Sequence, residues 1–220
     1  ACSRNCPESR CERGRCSAPI EEVPPAELSQ SGNSSISDVH FRKSKIENIT
    51  GPRLRLRPLA PADLPLRVEW FNDPDIRKTL LVEEYFTLEG TRRWFERIRE
   101  DASRLDLVIE TPEALPVGLV SLLQIDPKDR TAEIIIVIGS REHWGRGVMY
   151  EAETLLIGWA FERLGLEKVW AVALPGNLAS LITMKKIGFQ VEGTLRREAV
   201  KDGRRTDVLR LGLLKEEFKR

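Results

Sequence analysis

Residues 131–149, TAEIIIVIGSREHWGRGVM, constrain the fold more than any other stretch, because they join a buried strand to a tight turn and then to a helix. From Ile134 to Ile138 every residue is β-branched, and the run is too short for a typical helix, so it reads as a strand buried on both faces. Gly139 breaks the strand. Gly145 and Gly147 bracket Arg146, and an amphipathic pattern of good helix formers begins within two or three residues. Such a turn leaves backbone N–H groups without partners and points the positive end of a helix dipole outward, so an anion can dock there. The stretch is a candidate phosphate cradle.

The flanking segments narrow the architecture. Residues 53–59 (RLRLRPL) alternate as a half-buried strand. Asp63 is placed to cap a helix carrying Leu66, Val68, Trp70 and Phe71, with Pro65 in its first turn and Asn72-Asp73-Pro74-Asp75 ending it. A second helix is expected over residues 87–100, with Thr87 or Thr91 as its cap. Strand candidates at 105–109, 116–125 and 132–138 are separated by short turns and read as an antiparallel meander. After the glycine turn come a helix (148–163), a strand (168–173), a helix (178–186) and a hairpin turning at Asp202-Gly203. A strand, helix and strand in series requires a crossover, so strands 132–138 and 168–173 should be parallel neighbours. The expected fold is α/β, with a mixed, mostly antiparallel sheet, a central splayed parallel pair and helices on both faces. A ligand enters such a splay near the strands' C-terminal ends.

Residues 1–50, rich in Ser, Pro, Glu, Arg and Asn, read as a linker-like or disordered extension ahead of one domain at 51–220. All four cysteines, Cys2, Cys6, Cys11 and Cys16, fall in that extension. Their spacing lacks a C-x-x-C pair, so no metal site is expected. A cysteine-free body points to a reducing, cytoplasmic compartment. No apolar h-region precedes Gln30, and no apolar run approaches the roughly 18 residues that span a bilayer, so neither a signal peptide nor a membrane partner is expected. With 35 basic and 34 acidic side chains the net charge is +1, which argues against a nucleic-acid partner; any anion must be gripped locally.

Two familiar phosphate motifs fit the turn poorly. A Walker A loop needs Gly-Lys-Ser/Thr, and Gly147 is followed by Val148-Met149. A dinucleotide fingerprint needs a third glycine where Tyr150 stands, although Glu167 lies at a plausible distance for a ribose contact.

The pair REHWGRGVMYEA and NLASLITMKKIGF, in that order and spacing, resembles the two core motifs of the GNAT superfamily of acyl-CoA N-acyltransferases. Trp144, Gly147 and Met149 hold the three defining places of the first motif. The layout of residues 53–218 is similar to the Rim-type and spermidine N-acetyltransferase branches. The resemblance implies acetyl-CoA as acetyl donor, its pyrophosphate on the amides of Trp144, Gly145, Arg146, Gly147, Val148 and Met149. It implies a pantetheine arm running along Val137, Ile138 and Gly139 and bonded by Asn177, with a backbone N–H near Ile138 polarising the thioester. The acceptor would be the primary amine of a small molecule, a polyamine or a protein N-terminus, acetylated directly, since no cysteine lies inside the domain to carry the group. A homodimer is the default assembly.

For catalysis the resemblance points to Glu133 as base and Ser180 as acid. The family's usual acid, a Tyr, falls at Met184, which cannot donate a proton; Ser180, a water, another side chain or unassisted thiolate departure remain open. Plain structural readings stand beside these. Asn177 follows Pro175-Gly176 and can simply cap a helix, with Ser180 as a second cap. Glu133 among isoleucines needs a role or a partner, unless it faces solvent at a sheet edge. Arg141 and Arg146 either charge the cradle or are solvated, and Glu83 and Glu84 either attract a cationic amine or form a solvated pair. His40 lies in the extension, and His143 reads as a loop residue. Residues 63–99 would choose the acceptor but hold no motif that names it. A non-catalytic acyl-CoA sensor or accessory domain is the alternative function.

Overall fold

Eight strands and five α-helices lie along residues 48–219, the part of the chain that the computed structural model describes. The four cysteines, His40 and nearly all of the expected extension lie outside the described residues. Strands β1 (Ile49–Thr50), β2 (Arg55–Pro58), β3 (Leu105–Glu110), β4 (Pro116–Asp126) and β5 (Thr131–Ile138) follow one another as antiparallel neighbours. Strand β6 (Lys168–Ala173) lies parallel to β5, and β8 (Arg204–Leu214) and β7 (Gln190–Lys201) complete the order β1-β2-β3-β4-β5-β6-β8-β7. This is the mixed sheet that the sequence pattern led us to expect. The sheet begins slightly ahead of the expected boundary, at β1.

The parallel pair is short. β5 and β6 are in register only at Thr131↔Lys168, Ala132↔Val169 and Glu133↔Trp170. Beyond Glu133, β5 stays on β4 as far as Ile138↔Gly118, and the Gly139 amide continues that ladder by donating to the Val117 carbonyl at 2.9 Å. Bonding alternates along an antiparallel strand, so Ile135 and Val137 turn their main-chain groups toward β4. Ile134, Ile136 and Ile138 turn theirs toward the side where β6 has diverged.

Helices cover both faces, each over its own apolar cluster. On one face α4 (Val148–Trp159) and α5 (Leu178–Ile187) bury Ala152, Leu156, Ile157, Met184 and Ile187 with Ala132, Ile134, Ile138, Val169 and Ala171 of the sheet. On the other, α1 (Leu64–Asn72) and α2 (Pro74–Arg77) set Trp70 and Ile76 against Val108, Leu119 and Val137. Each fully buried Leu or Ile side chain contributes on the order of 2 kcal/mol. Helix α3 (Leu88–Ile98) starts at Thr87, whose hydroxyl accepts from the Gly90 amide at 3.1 Å.

Two expectations need correcting. Asp63 does not cap α1: both its oxygens take the Arg57 guanidinium at 2.7 Å, because a bidentate charged pair outcompetes a cap. The helix after the glycine turn ends at Trp159 and continues as one wide π turn over Ala160–Leu164, closed by Gly165 in the left-handed conformation. Among the described residues no helix is long and apolar enough to cross a membrane.

Candidate active site

A cavity of about 830 Å³ opens where β5 and β6 part. Residues 134–138 line one side and 172–174 the other, with the glycine turn and the start of α4 at one end. Phe71 of α1, Ile76 of α2 and residues 79–82 line it as well. The strand–turn–helix stretch and the segment before the second helix thus meet in one cleft.

The turn's backbone suits an anion. Gly145 and Gly147 have φ of +70° and +79°, a conformation that glycine enters without strain. A Cβ built on Gly145 would meet nothing within 4 Å, so its face of the turn is open to a ligand. The Trp144 and Arg146 amides are used locally, donating to Arg141 O at 3.1 Å and His143 O at 3.4 Å. Among the described residues the amides of Gly145, Gly147, Val148 and Met149 have no such partner in the loop, and the last two belong to the first turn of α4, where helical N–H groups have no intrahelical acceptor. The Trp144 indole folds back and donates to the Ile138 carbonyl at 2.9 Å, tying the turn to the end of β5.

Arg53 is the residue that sequence reasoning missed here. Its guanidinium donates to the Arg146 carbonyl at 3.2 Å, is braced by Glu151 at 2.8 Å, and lies 3.4 Å from where a Cβ on Gly147 would stand. It puts a cation beside the turn from 93 residues away in sequence, a separation that no local pattern reveals. Arg141, expected near the cradle, is instead held by Asp73 at 2.8 Å and Asp75 at 2.7 Å. The Arg146 side chain is exposed.

Val137, Ile138, Trp144, Gly145, Gly147, Val148, Met149, Asn177 and Ser180 all line the cleft. Gly139 does not. It is buried under Trp70, where a methyl group would overlap the indole ring, and its N–H serves β4. Asn177 performs the capping role, accepting from the Ser180 amide at 3.3 Å, and is half-buried in the cleft wall. Ser180 is 7% exposed, and among the described residues its hydroxyl reaches only the Met149 sulfur, at 4.0 Å, a weak acceptor. Met184 is buried in the same wall. The His143 ring is tethered to the Ser140 hydroxyl at 2.8 Å.

Glu133 sits at the closed end of the splay, on the last registered pair, and is 7% exposed, so it does not face solvent at a sheet edge. It shares a strand face with Ile135, roughly 7 Å further along the strand and in the cleft wall. The register of β4 slips between Leu123 and Asp126, and Gln124 takes φ of +48° there, donating to Glu133 Oε2 at 3.1 Å. Burial raises the Glu133 carboxyl above its ordinary range, while the Arg210 charge and the Gln124 bond pull it back down. Gln124 and Arg210 line a second, open depression, and Glu133 itself lines neither that depression nor the cleft, although its strand neighbour Ile134 lines the cleft.

The segment at 77–80, beside the cleft, is clamped from the far edge of the sheet. Lys201, at the tip of the β7–β8 hairpin, donates to the carbonyls of Arg77 at 2.6 Å and Leu80 at 3.0 Å. Arg77 in turn bonds the carbonyls of Glu83 and Glu84. The Glu83 carboxylate accepts from the Gly203 amide at 3.3 Å, and neither Glu83 nor Glu84 lines the cleft. Among the described residues no cluster of three or more His, Cys, Asp or Glu is placed to hold a metal ion.

Residues 53–190 match the acetyltransferase (GNAT) domain family. The chain belongs to the GNAT acetyltransferases. This GNAT chain is 28% identical over 178 residues to an uncharacterized N-acetyltransferase, p20, of Bacillus licheniformis, covering 79% of the chain and 99% of that relative. It is 27% identical to the spermidine N(1)-acetyltransferase of Escherichia coli (strain K12), covering 75% of the chain and 88% of the relative. Among solved structures it superposes on the spermidine N-acetyltransferase from Vibrio cholerae in complex with CoA and spermine, with a TM-score of 0.72, 26% identity, and 76% and 98% of the two chains covered. Like these relatives, this GNAT protein is an N-acetyltransferase.

Proposed function

We propose that the enzyme moves an acetyl group from acetyl-CoA directly to a primary amine, borne by a small molecule, a polyamine or a protein N-terminus. The observation that carries this reading is the continuity of one cleft, which runs from the open amides at Gly145, Gly147, Val148 and Met149 along the edge of β5 to a wall set by α1 and α2. The fit is chemical as well as spatial. Outward amides, a helix dipole and Arg53 suit a diphosphate, and the edge groups of Ile134, Ile136 and Ile138 suit the amide-bearing arm of pantetheine. Acetyl-CoA, when bound, supplies an activated thioester.

The chain's own residues supply the rest. The Ile138 N–H, directed into the gap, stabilises the carbonyl oxygen as negative charge gathers on it. Asn177 holds the arm beside the start of α5. An ammonium cannot attack, so Glu133 accepts its proton through water from the closed end of the cleft, and a base with a raised pKa suits that role. As the C–N bond forms, the C–S bond breaks. One amine proton goes to solvent by way of Glu133, and the other reaches the departing sulfur through the Ser180 hydroxyl, which gives its own proton to the sulfur and takes the amine's in return; among the described residues its only partner is a weak sulfur acceptor.

The experiment is calorimetric titration with acetyl-CoA followed by a thiol-release assay over spermidine, apolar monoamines and peptides with free N-termini. Binding with turnover supports the enzyme. Binding without turnover on any amine supports a sensor, a reading that Met184 at the family's acid position favours. Absence of binding refutes both.

A further inference from the structure

The charges around the cleft are unevenly placed. Among the described residues its cations are Arg53, which reaches the glycine turn from the loop between β1 and β2, and Lys186 on α5. Its acceptor end is lined by Phe71, Ile76, Leu80, Leu81, Val82 and Ile135, and by Thr79, whose hydroxyl is turned to the Ile76 carbonyl at 2.8 Å. Among the described residues that line the cleft, one carboxylate is present, Asp75, and it is already held by Lys78 at 2.6 Å and Arg141 at 2.7 Å. A polyamine carries two or more ammonium groups, and each one taken from water into apolar surroundings is costly unless a carboxylate meets it. A monoamine has one such charge, and it loses that charge on the way to reaction.

We infer that the acceptor is a primary amine attached to an apolar body and carrying a single positive charge, such as an alkyl or aryl amine or the N-terminus of a peptide with an apolar first residue. The inference rests on the acetyl-transfer reading of the same cleft and narrows it. Apolar walls favour the neutral amine over the ammonium, so the acceptor end itself assists the proton loss that precedes attack. The amine body packs on Leu80 and Ile135, and recognition does not depend on long-range charge.

The test uses the full chain. Octylamine, phenethylamine, Leu- and Ser-starting hexapeptides and spermidine are compared by kcat/KM in thiol release at low and high salt. In parallel, octylamine and spermidine are titrated by calorimetry onto protein saturated with CoA. The expected result is a preference of tenfold or more for the apolar amines or the Leu-starting peptide over spermidine, with a KM that salt barely moves. Preference between octylamine and the Leu-starting peptide separates a small-molecule acceptor from a peptide one. Val82→Asp, at a position 41% exposed and therefore tolerant of charge, should improve spermidine use severalfold relative to octylamine. Spermidine preferred by the unaltered chain, with a KM that rises with salt, overturns the inference and leaves acetyl transfer standing. If no amine turns over, the acetyl-transfer reading fails and the calorimetric arm still decides: tighter octylamine supports the apolar site, and tighter spermidine overturns it.

Discussion

Glu153 on α4 offers a quantitative test of the packing. It is fully buried, and neither carboxylate oxygen has a hydrogen-bond partner among the described residues. Burial alone pushes its pKa from 4.5 to about 8. Between those values the native state holds a proton that the unfolded chain has released, so stability falls as pH rises from 4.5 toward 8. Each pH unit is worth about 1.4 kcal/mol, so going from pH 5 to pH 7.5 costs the native state about 3 kcal/mol through this one group. Glu153→Met keeps the length and helix propensity of the side chain but cannot ionise. Its stability advantage over the parent should therefore be about 3 kcal/mol larger at pH 7.5 than at pH 5, or roughly 6–12 °C in Tm for a domain of this size. Glu153→Gln should remove the same pH dependence without the apolar gain. Urea titrations of the ligand-free protein at the two pH values measure this. An advantage that is equal at both would mean that Glu153 is ionised or hydrated in the native state, and the reasoning would fail.

Gly147→Asp places a carboxylate in the open turn and should weaken CoA binding by 100-fold or more, while left-handed strain at that φ costs only about 1 kcal/mol; an unchanged Kd by calorimetry would remove the cradle. Glu133→Gln should lower kcat about 100-fold and erase one inflection from the acid limb of the kcat/KM profile, whereas an unaltered pH profile would reduce Glu133 to packing. Lys201→Met should speed hydrogen exchange at residues 79–84 about tenfold and raise the acceptor KM with no change in acetyl-CoA affinity. Exchange equal to the parent's would show that the hairpin does not clamp the wall.

Much of the fold was legible because its strongest signals are local. The β-branched run at 134–138, the paired glycines and the Asp202-Gly203 turn each impose a backbone choice on a few neighbouring residues, and the elements formed where those patterns lie. The capping role of Asn177 is local in the same sense. What stayed hidden is long-range. Nothing around Arg53 marks it as a neighbour of the glycine turn, since alternation alone made it a strand residue. Asp63 looked like a cap until Arg57 was found opposite it. The Asp202-Gly203 turn marks a hairpin and nothing beyond it, yet Lys201 reaches two carbonyls more than 120 residues earlier in the chain. Glu153 stood inside a helical pattern whose buried face could be assigned only once the sheet beneath it was in place.

If the proposed reading holds, the two apolar clusters, one on each side of the sheet, make donor handling and acceptor choice separable inheritances. On the acetyl-transfer reading, Ala152, Leu156 and Met184 support the elements that would hold the coenzyme, whereas Ile76 and Leu80, packed in the other cluster, would shape what meets it, and the sheet divides the two groups. Substitutions in the second group can accumulate, and substrate preference can drift over generations, with little effect on how tightly the coenzyme is held. Paired replacements drawn one from each group, far apart and without shared neighbours, should change stability additively to within about 0.5 kcal/mol.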